Sequence, residues 1–398
     1  MFPQRSPPEG SGPLEVQPPA CWRPRELRDS RPISTLGTAA LGLLLTLPSP
    51  TEACTSMLLP SKDGGYVYTR TMEFTLQMQS QIMILPRGQK VVCTGTDGVA
   101  GKGGLTWTAK YAAAGANALG LPIIIDGLNE KGLSGGLFNF PGYAQFQKVP
   151  KDAGARSMAS HEVVTWVLGS FATVAEVKDA IRKVYVSGTP LKQFGNNVPP
   201  VHYSFHDAQG NSIAIEYVEG ELHVYDNPTH VFTNAPDFPY QLANLAQYQY
   251  ISPNVLPPIQ AGKTTLSAAS SGAGLNGLPG GYLAPARFVR AFFAQQYAPV
   301  QATSDQAVNS ALRLMAGFEL PTGSIRTSAT GGGEGGGVTG NETTEWTSAS
   351  DMKALRYYIR TYDNPDVRFV DLRKAAPTAK AIQFVPLNQP QVIRDLTP

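Results

Sequence analysis

The stretch from Thr51 to Phe74, TEACTSMLLPSKDGGYVYTRTMEF, decides how the rest of the chain is read. It sets Cys54 directly before TSMLL, turns at SKDGG and returns as YVYTRTMEF. β-Branched and aromatic residues on both sides of a Gly turn predict an antiparallel hairpin. Cys54 opens that hairpin, and Arg70 and Glu73 lie near its far end. Upstream, GTAALGLLLTL at Gly37 to Leu47 is apolar for only eleven residues, short of the about 20 that span a bilayer, so no stable membrane span is expected. Arg23, Arg25, Arg28 and Arg31 precede it and SPTEA follows, the basic, apolar, small-residue order of a secretion signal. Residues 1–53 are expected to be a leader removed on export, to the periplasm or beyond the cell, and residues 54–398 a single domain.

Downstream the same hairpin texture continues as QIMIL, KVVCT, LTWTAKY, PIIIDGL and GLSGGLFNF. A helical stretch follows. SMASHEVVTWVLGSF has apolar residues at helical spacing, and TVAEVKDAI opens with Thr173 and Glu176 as a capping box. VHYSFHDA, SIAIEYV, LHVYD and HVFTN read as a second meander. ARFVRAFFAQQYA and SDQAVNSALRLMAGF form a second helical block, and ALRYYIRTYD, VRFVDLRK and AIQFVPL close the chain as strands. Strands and helices in grouped runs predict an α+β fold with antiparallel sheets, not a βαβ repeat.

The composition narrows function. The 398 residues carry a net charge of +2 with 16% charged residues and no long basic or acidic block, which argues against nucleic acid as a partner. Three cysteines, Cys21, Cys54 and Cys93, make no disulfide framework. GGGEGGG at Gly331 to Gly337 reads as a flexible loop. AGKTT at Ala261 to Thr265 lacks the first glycine of a phosphate loop, since Pro257 stands there, and no strand leads into it. GLSGG at Gly132 to Gly136 is followed by LFNFPGY rather than a helix, so Ser134 is expected to be a strand residue and not a nucleophile. His202 and His206, four apart on a strand, sit roughly 13 Å from each other, too far to share a metal. His161, His223 and His230 have no clustered partner, and core or solvent-facing roles are expected for all five.

Without a histidine to act as base, a thiol nucleophile needs another proton acceptor. An α-amino group, with a reference pKa of about 7.7 to 8.0, takes a proton near neutral pH, and cleavage after Ala53 gives Cys54 one. Arg70 beside the thiol would hold its pKa down and Glu73 would hydrogen-bond the amine and aim it, but read alone the two, three apart near a strand end, are expected to form a surface salt bridge.

The ordered motifs C-T, TRTMEF, DGLNEKGL, LFNFPGYA, VFTNAPDF and LPGGYLAPARFVRAFF, spread from Cys54 to about Leu387, resemble the choloylglycine hydrolase and penicillin V acylase family. Its members are cysteine N-terminal-nucleophile hydrolases of linear amide bonds. The resemblance implies Cys54 as nucleophile, Arg70 as a substrate-side arginine, and Glu73 where an aspartate that orients the amine is common. It implies Asn139 as a backbone oxyanion donor, Asn234 as its side-chain counterpart, and Arg287 as the last active-site arginine. It also implies a four-layer αββα fold with two stacked antiparallel sheets, a catalytic domain over 54–398, no metal or cofactor, and a homotetramer built on the loop QYQYISPNVLPPIQAGKTTLSAASSG. The substrate it implies is a small N-acyl amide of the conjugated bile salt or penicillin V type, with fatty-acyl homoserine lactones as the alternative and a catalytically dead binding protein as the reading of another class. Phe74, Met83, Phe138, Phe140 and Tyr143 are the candidates to line an apolar acyl pocket.

Overall fold

The hairpin that follows Cys54 lies inside the first sheet, with a strand on either side of it. In the computed structural model, which describes residues 54–327 and 340–397, Thr55–Pro60 and Tyr66–Phe74 pair antiparallel. Their SKDGG turn closes through Ser61 N–H to Gly65 O at 2.9 Å, and Gly64, at φ +77°, supplies the left-handed residue the turn requires. The expected leader and the GGGEGGG run lie outside the described residues.

Seven strands make this sheet. Val231–Phe232, Thr55–Pro60, Tyr66–Phe74, Gly340–Asp351, Arg356–Thr361 and Arg368–Asp371 follow in that order, with Ile325–Thr327 also on Gly340–Asp351. The second sheet has eight, ordered Glu221–Asp226, Ser212–Val218, Val201–His206, Ser134–Asn139, Asp126–Asn129, Ala113–Ala116, Gln81–Leu85 and Gln383–Pro386. Helices Ala284–Tyr297 and Ser304–Ala316 pack on the first sheet, and Val163–Ser170 packs on the second. The sheets face each other across a buried polar centre: Tyr68 and Tyr357 hydroxyls and Ser348 Oγ all donate to the Asp126 carboxylate, at 3.1, 2.8 and 2.8 Å. The order is helix, sheet, sheet, helix, the expected α+β arrangement.

Several elements differ from the sequence reading; Ser157–Ala159, read as the start of a helix, is a short strand paired with Tyr185–Ser187. Gly340–Asp351, the twelve-residue strand at the middle of the first sheet, has the polar sequence GNETTEWTSASD and carries no apolar alternation. Its inward side chains are polar because they meet polar groups: Ser348 bonds Asp126, and Thr344 donates to Glu73 at 2.7 Å. The helix Phe238–Leu245, capped by Asp237 and with Pro239 in its first turn, is absent from the sequence reading. VRFVDLRK is a strand only to Asp371, whose carboxylate then accepts from Arg373 N–H and starts the helix Leu372–Thr378.

Candidate active site

Cys54 stands at the mouth of the first sheet, opposite Met72 by the register that pairs Thr55 with Thr71 and Ser56 with Arg70. Side chains along a strand alternate between its faces. Cys54, Arg70, Met72 and Phe74 therefore look toward the second sheet, and Thr55, Thr71 and Glu73 toward the helix layer. Arg70 and Glu73, three apart, fall on opposite faces, so they cannot form the ion pair their spacing allows on a helix.

On the sulfur's face, Cys54 Sγ lies 3.7 Å from Met72 Sδ and 3.9 Å from the Glu73 carbonyl. Arg70 is fully buried. Its Nη1 donates to Leu137 O at 2.7 Å and lies 3.8 Å from Asp126 Oδ1, and its guanidinium carbon sits 4.1 Å over the Phe138 ring. A Cβ on Gly136 would lie 2.8 Å from both Arg70 Nη1 and Asp126 Oδ1, so the last glycine of GLSGG makes room for this pair. Ser134 in the same motif is a strand residue whose hydroxyl donates to Gly127 O.

Beside the sulfur is an apolar cavity. Met72, Phe74, Ile125, Leu137 and Phe194 line it with Cys54, and Asn139 and His161 are the polar residues of its wall. Burial pushes the Cys54 thiol up to about 11. Arg70 pulls the other way and Glu73 adds to the rise, so Arg70 does not give the low thiol pKa expected from sequence: desolvation outweighs it.

On the opposite face the backbone of Cys54 is held by side chains. Its N–H donates to Asn234 Oδ1 at 2.7 Å, and Arg287 Nη1 donates to its carbonyl and, at 2.7 Å, to Thr55 Oγ1. Arg287 Nη2 reaches Asn234 Oδ1 at 2.9 Å. Two donors on Oδ1 fix the orientation of the Asn234 amide, and its Nδ2 donates to Asn139 O at 2.8 Å. An amide nitrogen carries two hydrogens, so one donation leaves a second available.

Glu73 is placed differently from its expected role. Its carboxylate accepts from Thr71 Oγ1 at 3.0 Å and Thr344 Oγ1 at 2.7 Å, while the Cys54 nitrogen turns to Asn234. Burial raises Glu73 to about 8 against the pull of Thr344, Arg287 and Thr71.

The backbone of Asn139 is oriented by the strand ladder. Phe140 N–H donates to Pro200 O at 2.6 Å, and antiparallel pairs alternate. The neighbouring pair, Asn139 with Val201, is then of the open kind, and the Asn139 N–H and C=O both point off that strand. The carbonyl takes Asn234 Nδ2, and Asn139 Nδ2 is a buried donor without a partner among the described residues.

Six of the sequence candidates, Cys54, Arg70, Glu73, Asn139, Asn234 and Arg287, are thus brought together. Phe74 lines the cavity; Met83, Phe138, Phe140 and Tyr143 do not. The pleat explains Phe138: its neighbours Leu137 and Asn139 face the cavity, and it lies under Arg70. Phe140 stacks on His202 with ring centroids 4.1 Å apart, Tyr143 stacks on Phe140 with its own edge in solvent, and Met83 is buried in Gln81–Leu85. Sequence reasoning missed Met72, although it alternates with Arg70 in TRTMEF, and missed Asp126 and His161, whose partners are far away in sequence. Among the described residues no His, Cys, Asp and Glu cluster is suited to hold a metal, and no helix is long and apolar enough to cross a membrane.

The site thus holds a cysteine anchored at its N–H and its carbonyl, beside an apolar cavity. The chain belongs to the linear amide C-N hydrolases, choloylglycine hydrolase family, which it matches over residues 54–377, and it is an enzyme of that class. It is 30% identical over 326 residues to the bile salt hydrolase/transferase of Clostridium perfringens, covering 81% of this chain and 93% of the relative. Similarity to the penicillin V acylase of Pectobacterium atrosepticum is 26% over 391 residues, covering 94% and 93%. The crystal structure of a mutant conjugated bile acid hydrolase from C. perfringens superposes with a TM-score of 0.75 at 27% identity, over 86% of this chain and all of that one.

Proposed function

We propose that the enzyme cuts the amide bond of N-acyl substrates of the conjugated bile salt or penicillin V type, with Cys54 as an N-terminal nucleophile. The observation that carries this reading is the clamp on Cys54: buried Asn234 and Arg287 hold its nitrogen and carbonyl while its sulfur faces the cavity. A core cysteine has no use for such a clamp. The family match starting at Cys54 supports the same reading.

Once Ala53 is removed after export, the Cys54 nitrogen becomes an amine. In its neutral form it donates to Asn234 Oδ1 and keeps a lone pair for the thiol proton. The thiolate then attacks the substrate carbonyl. The Asn139 N–H and the second hydrogen of Asn234 Nδ2 stabilise the oxyanion, the amine leaves with the proton, and water hydrolyses the thioester. Arg70 faces the attack side as a fixed positive charge, and no metal or cofactor enters the scheme. The hairpin of Ile259–Ala261 and Thr264–Leu266, which carries Ile259 and Leu266 exposed beside Val255 and Leu256, supports assembly into a homotetramer through that loop.

The test is an Ala53→Pro chain, which blocks processing. Intact mass is expected to retain residue 53, and release of amine from glycocholate and of phenoxyacetate from penicillin V is expected to vanish in a folded protein. Wild-type turnover with residue 53 still attached would remove Cys54 as an N-terminal nucleophile; turnover confined to acyl homoserine lactones would replace the substrate class.

A further inference from the structure

A buried polar pair on the second sheet has no part in the chemistry above. Tyr203 of Val201–His206 faces Ile215 of Ser212–Val218, so His202, one residue earlier, stands beside Glu216. His202 Nδ1 lies 3.0 Å from Glu216 Oε1, with the two side chains 1% and 0% exposed. The remaining polar atoms of both residues go to one segment. His202 Nε2 lies 3.0 Å from Thr233 O, and Phe238 N–H donates to Glu216 Oε1 and Oε2 at 3.1 and 3.2 Å. Thr233 and Phe238 are the two ends of TNAPDF, the loop that carries Asn234. Between them, Gln241 Nε2 donates to Asn234 O and to Pro236 O, both at 3.1 Å. A carbonyl only accepts, so Nε2 carries a hydrogen, and one further proton lies between Nδ1 and Oε1. Phe238 N–H opens the helix Phe238–Leu245, whose Asp237 cap serves Tyr240 N–H instead, so Glu216 takes a donor that the helix leaves over.

The same imidazole touches the other oxyanion strand. Phe140, the residue after Asn139, stacks on it with ring centroids 4.1 Å apart and planes 7° from parallel, and Phe232 packs at 4.3 Å. One ring therefore contacts a chain neighbour of each proposed oxyanion donor: Phe140 by stacking and Thr233 by a hydrogen bond. We propose that the His202–Glu216 pair is a staple that fixes Asn234 relative to Asn139 and so sets the geometry of the oxyanion site. This inference rests on the reading of Asn234 as an oxyanion donor. His202 is a positioning residue, reaching neither the sulfur nor the cavity lining. Such a donor acts only within about 2.7 to 3.1 Å of the developing charge, so a small shift of the loop is read in turnover.

The experiment measures kcat, KM and melting temperature for the processed enzyme on a substrate that wild type turns over. Glu216→Leu leaves the Phe238 N–H and His202 Nδ1 without partners. Its kcat is expected to fall about tenfold or more, with KM within about twofold. Glu216→Gln offers Oε1 to Phe238 N–H and an amide hydrogen to Nδ1, and should recover most of that loss. His202→Phe, made together with Glu216→Gln so that no charge is left buried alone, keeps an aromatic ring against Phe140 and loses the bond to Thr233; kcat is again expected to fall about tenfold. The decisive arm repeats this pair of changes in Asn234→Ala. With the donor already gone, kcat should drop by no more than about twofold further, although the melting temperature still falls. The full tenfold loss in that background, or an unchanged kcat when Thr233 O loses its partner, overturns the staple and leaves the hydrolase reading standing. Wild-type kcat in Asn234→Ala alone removes the oxyanion role and the staple with it. If the His202→Phe chain does not fold, the Glu216 variants decide: equal losses in Leu and Gln place the effect in proton transfer and overturn the staple.

Discussion

The two faces of the strand Tyr66–Phe74 meet at Cys54 and differ in kind. The face toward the second sheet gives the sulfur an apolar cavity, a thioether at 3.7 Å and one buried cation tied to Asp126. The face toward the helices gives the backbone of the same residue a polar clamp of Asn234 and Arg287, with Glu73 fastened nearby to Thr71 and Thr344. Sulfur and amide groups of one residue are handled by two environments. A low-dielectric cavity favours an apolar acyl group and strengthens each polar contact made there, and the polar clamp fixes the nitrogen that must receive the proton.

The largest effect separates the sulfur from the rest. Cys54→Ser is expected to lower kcat by about a thousandfold or more, whereas Cys93→Ser, in the two-stranded hairpin of Lys90–Thr94 and Gly103–Thr108, is expected to leave it within a few fold. Steady-state kinetics on one substrate decides it; comparable losses in the two variants would mean that the thiol at 54 has no special role.

Next, Asn234 can be split by its two ends. Asn234→Ala removes acceptor and donor, and loss of one oxyanion donor costs about 2.7 to 4 kcal/mol, seen as kcat rather than KM. Asn234→Asp keeps oxygens for the Cys54 nitrogen and Arg287 but cannot donate. A kcat loss in the Asp variant close to that in the Ala variant locates the effect in the donor; full activity in Asn234→Asp would confine Asn234 to the clamp.

A smaller effect concerns stability and sits on the helix face. Burial raises Glu73 to about 8, so the folded chain keeps a proton that the unfolded carboxylate, near 4.3, releases. The unfolded state then binds fewer protons between these values, and stability falls as pH rises from about 4.5 to about 8. Glu73→Gln should flatten that slope. Melting temperatures at pH 5 and pH 8 measure it, and an unchanged difference in the variant would assign the slope to another group.

The least effect is one of order. Burial pushes Cys54 and Cys93 up to about 11 and about 12, so iodoacetamide should label both slowly at pH 7 and faster as pH rises. Cys54 opens on the cavity and should react first; peptide mapping with Cys93 leading would show that the cavity does not admit reagent to the sulfur.

Much of the site was legible because its residues belong to short motifs. TRTMEF, LFNFPGYA, VFTNAPDF and LAPARFVR hold Arg70, Asn139, Asn234 and Arg287, and the structure converges all four on Cys54. The acyl pocket was less legible. Aromatic content suggested Phe138, Phe140 and Tyr143, but a single step along a strand moves a side chain to the other face, and Leu137 and Asn139 took the cavity instead. The central strand Gly340–Asp351 escaped notice because its buried partners are carboxylates and hydroxyls, which leave no hydrophobic period.

The sequence by itself determined the hairpin with its Gly64 turn, the grouped runs of strand and helix, and the residue types available for attack: one cysteine at the start of that hairpin, with arginine and amide side chains in recognisable order. These are local properties, set by turn chemistry and by side-chain period. Only the tertiary structure decided that Arg70 and Glu73 part to opposite faces, that Asn234 rather than Glu73 takes the Cys54 nitrogen, and that Met72 and Leu137 come to the cavity beside it. Each of those depends on which strands become neighbours and in what register, and on the desolvation that follows when two sheets close over charged groups. Neither is written in any stretch short enough to be read alone.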